Sequence, residues 1–318
     1  MQDSVDKRHL LGVYAKGIAM GAADVVPGVS GGTVAFITGI YAELLDSIKS
    51  INPKALLILF KGGPRVCWQH INGNFLLALM LGILTSVLSL AQVISFLLVN
   101  HPLLVWSFFF GLIAASSVHI AKQISHWQIS TMVILVLGLA AAYGVGELKP
   151  SELAPELSLV FLSGCIAICA MILPGISGSF ILVLLGMYGH ILGAVTDFNW
   201  LLLATFAAGC GIGLLSFSHL LSWLFKRFHD LTLALLTGFL LGSLNMVWPW
   251  KHTLSFYENS KGVKLALEQE NILPATFQTL SGGADPNTVF CLSLMVFGLV
   301  LVVFLEKIAS KSVEIGDQ

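Results

Sequence analysis

Long apolar stretches constrain the fold of this chain more than any other feature. Each has about 17 or more residues, the length that a helix needs to cross a bilayer. Only 10% of the 318 residues are charged, against about 25% in soluble domains. We therefore predict an all-α integral membrane protein with spanning helices at residues 75–98, 103–121, 130–146, 200–225, 231–248 and 288–305.

An internal repeat divides the chain into two halves. Segment 27–41 reads Pro-Gly-Val-Ser-Gly-Gly and ends in Gly-Ile-Tyr, and it aligns with Pro-Gly-Ile-Ser-Gly-Ser and Gly-Met-Tyr in segment 174–188. The offset between the two halves is 147 positions at these segments, and it falls to 127 positions further on, where Gly82 matches Gly209. The change of offset is explained by an extra loop, which we expect only in the first half. We predict one repeat over 1–149 with the extra loop at 49–74, and a second repeat over 150–318.

Each half is expected to open with a helical hairpin, at 10–48 and at 157–195, and to continue with three spans. The hairpin arms have about 15 to 18 residues, whereas a full crossing needs about 20, which favours re-entrant hairpins. A hairpin that returns to its starting face leaves three crossings in each half. Because three is an odd number, the second repeat is predicted to have inverted topology, as in many secondary transporters.

The distribution of basic residues supports this topology. With returning hairpins, twelve of the sixteen Lys and Arg residues lie on the face that carries both termini, and four lie on the other. The positive-inside tendency then places both termini and loop 49–74 in the cytoplasm and loop 250–287 in the periplasm. We expect loop 250–287 to be a solvated cap, and its sequence leaves open whether it also covers the mouth of a pocket.

The two hairpin tips are the candidate substrate site. In each tip a Pro ends one arm, and Gly-x-Ser-Gly begins the next with backbone N–H groups that have no helical partner. Such groups, together with the helix dipole, attract anions at membrane depth. One Gly-rich break is more often a packing point, but its duplication favours function. The candidate binding residues are Pro27, Gly28, Ser30, Gly31, Gly32, Thr33, Pro174, Gly175, Ser177, Gly178 and Ser179.

One carboxylate precedes the first tip. Asp24 lies three positions before Pro27 in an apolar stretch, and its counterpart in the second repeat is Met171. Carboxylates inside a membrane are costly and often functional, which makes Asp24 a candidate for coupling to a proton or cation. The alternative is a cap that accepts bonds from the hairpin backbone. Lys16 is a secondary candidate that could attract an anion, pair with Asp24 or extend to the interface.

Other site classes find less support. No Lys follows the glycines as it does in nucleotide-binding phosphate loops. A net charge of −1 gives no indication of a nucleic-acid partner. The five cysteines are scattered, which does not suggest disulfides. Cys165 and Cys169 share a helical face without His or carboxylate neighbours, so packing is favoured over a metal site. We expect no metal and no cofactor.

The motifs themselves resemble those of a known family. The segment from Ala22 to Thr33, Ala-Ala-Asp-Val-Val-Pro-Gly-Val-Ser-Gly-Gly-Thr, and the second Pro-Gly-Ile-Ser-Gly copy are similar to the bacterial polyprenyl-phosphate transporter family. The similarity extends over nearly the whole chain. The second copy departs from the first at Ser179, which replaces a Gly, and at Met171, which replaces the Asp.

This resemblance implies a substrate that the residues alone do not define. The family returns undecaprenyl phosphate, the lipid carrier of cell-envelope and peptidoglycan synthesis, from the outer to the cytoplasmic leaflet of the bacterial inner membrane. A multi-pass flippase is therefore expected, with the headgroup at the tips and a coupling proton or sodium ion. The alternatives are a channel or transporter for a small anion and, less favoured because no nucleophile and base are found together, a lipid phosphatase.

Overall fold

In a computed structural model of the protein, residues 2–26, 29–148, 154–258 and 264–316 are described. Most of these residues are helical. The first half contains α1 (Gln2–Asp24), α2 (Gly31–Ile37), α3 (Tyr41–Ser50), α4 (Pro53–His70), α5 (Gly73–Asn100), α6 (Pro102–Ala121) and α7 (Ile129–Glu147).

The second half has a similar order of helices, with a small sheet before its last helix. It contains α8 (Leu157–Ile172), α9 (Gly178–Leu184), α10 (Tyr188–Thr196), α11 (Trp200–Arg227), α12 (His229–Ser243), β1 (Lys251–Glu258), β2 (Lys264–Asn271), α13 (Pro274–Leu280) and α14 (Thr288–Gly316). The long helices α5 and α11 have 28 residues each and follow the hairpins in the two halves.

Small residues bring corresponding helix pairs into contact. Helix α1 packs along α5, and α8 packs along α11. Helix α6 of the first half packs against α14, and α12 of the second half packs against α7. Gly111 on α6 lies against the Met295 carbonyl, and its repeat counterpart Gly238 on α12 lies against the Leu135 carbonyl. The last two pairs therefore interlock the halves through backbone contacts that only small residues permit.

The second arm of each predicted hairpin is not one continuous helix. Each arm consists of two short helices, and Gly39 and Gly186 separate them with φ angles of 73° and 69°. Glycine adopts this left-handed conformation without the steric penalty that a side chain would bring. Helices α9 and α10 meet at a bend of 104°.

Five described helices are long and apolar enough to cross a membrane, which makes the chain a multi-pass membrane protein. The sixth predicted span, 231–248, is wrong in its length. Helix α12 covers only His229–Ser243 and passes into a turn before Pro249. Its side chains Leu233, Leu236 and Leu240 are fully buried, so its apolar character serves the interior.

Two segments that were predicted as loops contain regular structure. In 49–74, helix α4 begins at Pro53, where the Asn52 side chain accepts a 2.9 Å bond from the Lys54 amide and caps the first turn. In 250–287, β1 and β2 form an antiparallel pair in which Lys251 lies opposite Asn271. The all-α prediction therefore holds for the helical body and is wrong for this segment.

Candidate functional site

The first tip is closed by its own side chains. An Asp24 carboxylate oxygen accepts a 2.7 Å bond from the Gly31 amide, and the Ser30 hydroxyl accepts a 3.0 Å bond from the Gly32 amide. The Thr33 amide donates to the Ser30 carbonyl. Ser30 and Thr33 are 1% and 0% exposed. The cap that the sequence offered as an alternative for Asp24 is therefore present, and the first N–H groups of α2 have partners.

The two tips touch each other. The Ser30 hydroxyl donates to the Met171 carbonyl at 2.7 Å, across 141 positions of sequence. Thr33 accepts a 3.2 Å bond from the Gly175 amide of the opposite tip. A Cβ at Gly32 would overlap the Ile172 carbonyl, so only glycine permits this approach. The first tip therefore contacts the second repeat directly, at Gly175 and at the end of α8, inside the protein.

The second tip is less closed than the first. Ser177 precedes α9 without capping it, and its hydroxyl lies 2.8 Å from the Ser179 hydroxyl. Within the described residues, the amides of Gly178, Ser179 and Phe180 have no hydrogen-bond partner. Ser177 is buried, whereas Ser179 and Phe180 are partly exposed. This tip therefore presents two hydroxyls and three N–H donors beside side chains that are partly exposed.

The remaining candidate positions have different outcomes. Pro27 and Gly28 lie outside the described residues. Pro174 is buried at the second tip. The Lys16 ammonium donates to the Thr38 carbonyl at 2.9 Å, at the end of α2. No ion pair between Lys16 and Asp24 is found in the described chain. The bond from Lys16 instead connects α1 to the break between α2 and α3.

Sequence reasoning missed one residue of this cluster. The Tyr41 hydroxyl donates to the Ile172 carbonyl at 3.1 Å, and Tyr41 is 4% exposed. The signal was available, because Gly-Ile-Tyr at 39–41 repeats as Gly-Met-Tyr at 186–188. Tyr188, the counterpart of Tyr41 in the second repeat, is 44% exposed. The tyrosines therefore occupy different environments in the two halves.

The cysteine contacts are those of packing residues. The Cys165 thiol donates to the Gly209 carbonyl at 3.1 Å, and the Cys169 thiol donates to the Gly213 carbonyl at 3.7 Å. Both bonds join α8 to α11. The described part of the chain contains no group of three or more His, Cys, Asp or Glu side chains that could hold a metal ion.

Comparison with known proteins gives a consistent result. A family model described as undecaprenyl phosphate translocase-like matches residues 20–265. The chain is 53% identical over 304 residues to a polyprenyl-phosphate transporter of Vibrio cholerae, which covers 95% of this chain and 98% of that protein. It is 32% identical over 252 residues to a polyprenyl-phosphate transporter of Staphylococcus aureus, covering 74% and 84%. No solved structure matches the chain significantly.

Proposed function

This chain belongs to the undecaprenyl phosphate translocase-like family, and from that premise we propose that it is a flippase for undecaprenyl phosphate. The resemblance inferred from the tip motifs is confirmed, and the names of the family and of both relatives indicate a transporter rather than an enzyme. The proposed direction is from the outer to the cytoplasmic leaflet of the bacterial inner membrane, with both termini in the cytoplasm.

The observation that carries the binding proposal is the open second tip. Ser177 and Ser179 offer two hydroxyls, and the first amides of α9 have no partner in the described chain. A phosphate headgroup has several acceptor oxygens, and charge-assisted bonds to it are about twice as strong as neutral ones. We assign the headgroup to this tip in the present conformation. The prenyl tail would remain in the lipid.

The first tip is proposed to bind phosphate only after it opens. Asp24 occupies the Gly31 amide, and Ser30 occupies the Gly32 amide, so the carboxylate and the hydroxyl stand where phosphate oxygens would bind. Protonation of Asp24, or binding of a cation to it, would weaken its bond to Gly31. This gives a route by which an ion could couple to headgroup transfer from the second tip to the first.

Coupling would answer an electrostatic problem. Moving a negative headgroup towards a negative-inside cytoplasm costs about 2.3 kcal/mol per charge for each 100 mV. A proton or sodium ion that travels with the headgroup would offset one charge. Asp24 is the proposed coupling residue because it is a carboxylate within the tip cluster and contacts a candidate donor directly.

Alternating access between inverted repeats is the proposed mechanism. Two observations support it: the helices of both halves follow a corresponding order, and Gly111 and Gly238 make corresponding contacts with the opposite half. If the hairpins enter from opposite faces, their contact through Ser30 and Met171 would separate the two sides of the membrane. Movement of one half against the other would then expose the tips to each side in turn.

Binding of undecaprenyl phosphate to purified protein in nanodiscs tests the site. The double variant Ser177→Ala/Ser179→Ala should bind at least about tenfold more weakly, because each bond to a charged group contributes about 1.5–3 kcal/mol. Ser163→Ala is the matched control, since its buried hydroxyl bonds only to the Val160 carbonyl of its own helix. Unchanged affinity of the double variant would refute the assignment. Displacement of the lipid by equimolar inorganic phosphate would favour a small-anion transporter.

A further inference from the structure

A cavity of about 550 Å³ lies away from the tips, under the segment 250–287. Its walls come from the turn between α5 and α6, the start of β1, α13 and the start of α14. This volume is in the range of about 300–1,000 Å³ that is typical of ligand pockets. The fold thus contains a second chamber, at the ends of apolar helices rather than between the hairpins.

One partly buried cation distinguishes this cavity. Lys251 lines it, and the Lys251 ammonium donates a 2.8 Å bond to the Met246 carbonyl. An ammonium has three donors, so two remain for a ligand. Among the side chains that the structure describes, no carboxylate forms an ion pair with Lys251, although the charge of Glu147 acts on it from a greater distance. Removing part of such a charge from water is costly unless a partner compensates it.

Most of the cavity wall is apolar. Leu103, Trp106, Phe277 and Phe290 contribute to it, and Phe290 is 68% exposed on α14, a helix apolar enough to span the membrane. The wall therefore continues from a partly buried ammonium to a side chain that faces outward from a spanning helix. A ligand that matches both ends has an anionic head and a hydrocarbon chain.

Two tryptophans, Trp248 and Trp250, are sequence neighbours of the cavity residues Pro249 and Lys251 at the end of the helical body. The Trp248 and Trp250 rings lie 5.5 Å apart. The Trp248 indole donates to the Ile272 carbonyl and the Trp250 indole to the Pro286 carbonyl, each at 2.9 Å. Clustered tryptophans are typical of the membrane–water interface, where a lipid headgroup resides.

We infer that this cavity, with Lys251 as its cation, receives the phosphate headgroup of the prenyl lipid before the headgroup reaches the hairpin tips. The inference rests on the proposed function for the identity of the lipid. Lys251 would supply the strong cation that the tips lack. The described residues of segment 250–287 that line the cavity would then contribute to substrate binding, beyond forming a solvated cap.

The charge state of Lys251 gives the site a pH signature. Burial lowers the pKa of Lys251 to about 8, and the charge of Glu147 works against that decrease. The other titratable groups at the cavity are His101 and Asp285. A bound phosphate favours the protonated ammonium, and the pKa of its own second ionisation is about 6, well below that of Lys251. The contribution of Lys251 to binding should therefore be full below pH 8 and fade above it.

Transport in proteoliposomes tests this inference, with undecaprenyl phosphate supplied at increasing mole fraction. Lys251→Met should raise the half-saturating mole fraction about tenfold, with the maximal rate changed less than about twofold. Lys251→Arg, which keeps the charge, should stay close to wild type. The difference between the wild type and the Lys251→Met variant should shrink as the pH rises through 8. Lys122→Met, at an exposed position outside the cavity, is the control.

The possible outcomes separate this inference from the function on which it rests. No transport by the wild type would refute the proposed function. Wild-type transport with an unchanged half-saturation in Lys251→Met would refute the cavity assignment alone. An equal effect of Lys122→Met would also refute it, because general attraction between lysines and an anionic lipid would then explain the result. Thermal unfolding of each variant shows that any loss is not one of folding.

Discussion

Asp24 combines an observed structural role with the proposed role in coupling. Its carboxylate caps the first amide of α2, where the positive end of the helix stabilises negative charge. The same bond prevents a phosphate oxygen from using that amide. Under the proposed mechanism, a change in the protonation of Asp24 alters both the stability of the tip and its capacity to bind an anion.

Asp24→Asn separates these two effects. The amide oxygen of Asn can still accept from Gly31, so we expect the variant to fold, with a loss of stability below about 1 kcal/mol. Transport should lose its dependence on pH or sodium, because Asn binds neither ion as a carboxylate does. The measurement is the transport rate in proteoliposomes under imposed gradients. A variant with wild-type rate and wild-type ion dependence would remove Asp24 from the mechanism.

The residues and contacts that form the two tips could be predicted only in part from the sequence. Pro-Gly-x-Ser-Gly identified both tips, and the position of Asp24 before the first tip gave its two possible roles. The bonds from Ser30 to Met171 and from Gly175 to Thr33 were not predictable, since they join segments more than 140 positions apart. Such contacts depend on how the halves pack, which no local pattern encodes.

The hairpins are the elements that define the site, and their close contact depends on small side chains. Gly32 at the start of α2 lies against the backbone at Ile172, while Gly189 in α10 has open space where a Cβ would be. Both glycines lie within helices. They differ because the backbone of the opposite tip lies against Gly32, whereas nothing in the described chain lies against Gly189.

Gly32→Ala should separate the tips. The added methyl group would overlap the Ile172 carbonyl, and overpacking of this kind costs about 1–3 kcal/mol. We expect a thermal unfolding midpoint at least about 3 °C lower and reduced transport. Gly189→Ala should leave stability unchanged or raise it, because alanine favours a helix. Equal midpoints for the two variants would argue against contact between the tips in the membrane.

Element boundaries were predicted unevenly, for physical reasons. The long helices α5 and α11 were clear because their apolar runs exceed the thickness of a bilayer. The break at Gly39 was missed because apolar residues continue on both sides of it, and a single glycine does not dictate a bend. The β1–β2 pair was missed because the charged residues of the segment obscured its alternation.

At the scale of the whole molecule, the two halves interlock through α6 with α14 and through α7 with α12. The proposed inversion predicts that segments 49–74 and 250–287 lie on opposite sides of the membrane. The charge count that led to this topology concerns the chain as a whole. The charge count predicts which side of the membrane each segment faces, and the contacts within the protein do not show this.

Single cysteines test the inversion. In a background without the five native cysteines, Lys61→Cys on α4 and Ser281→Cys after α13 place thiols at exposed positions. A membrane-impermeant thiol reagent should label position 61 from the cytoplasmic side only and position 281 from the opposite side only. Labelling of both positions from the same side would contradict inverted repeats. Retained transport by the background protein is the control.

The most direct test of the account is leaflet-resolved transport of undecaprenyl phosphate by the purified protein in liposomes. Wild type should move the lipid between leaflets faster than protein-free liposomes, and a pH or sodium gradient should change that rate. Ser177→Ala/Ser179→Ala should lower the rate at least about tenfold, whereas Ser163→Ala should keep it. No movement above the protein-free rate, or an undiminished rate in the double variant, would contradict a flippase that works through its hairpin tips.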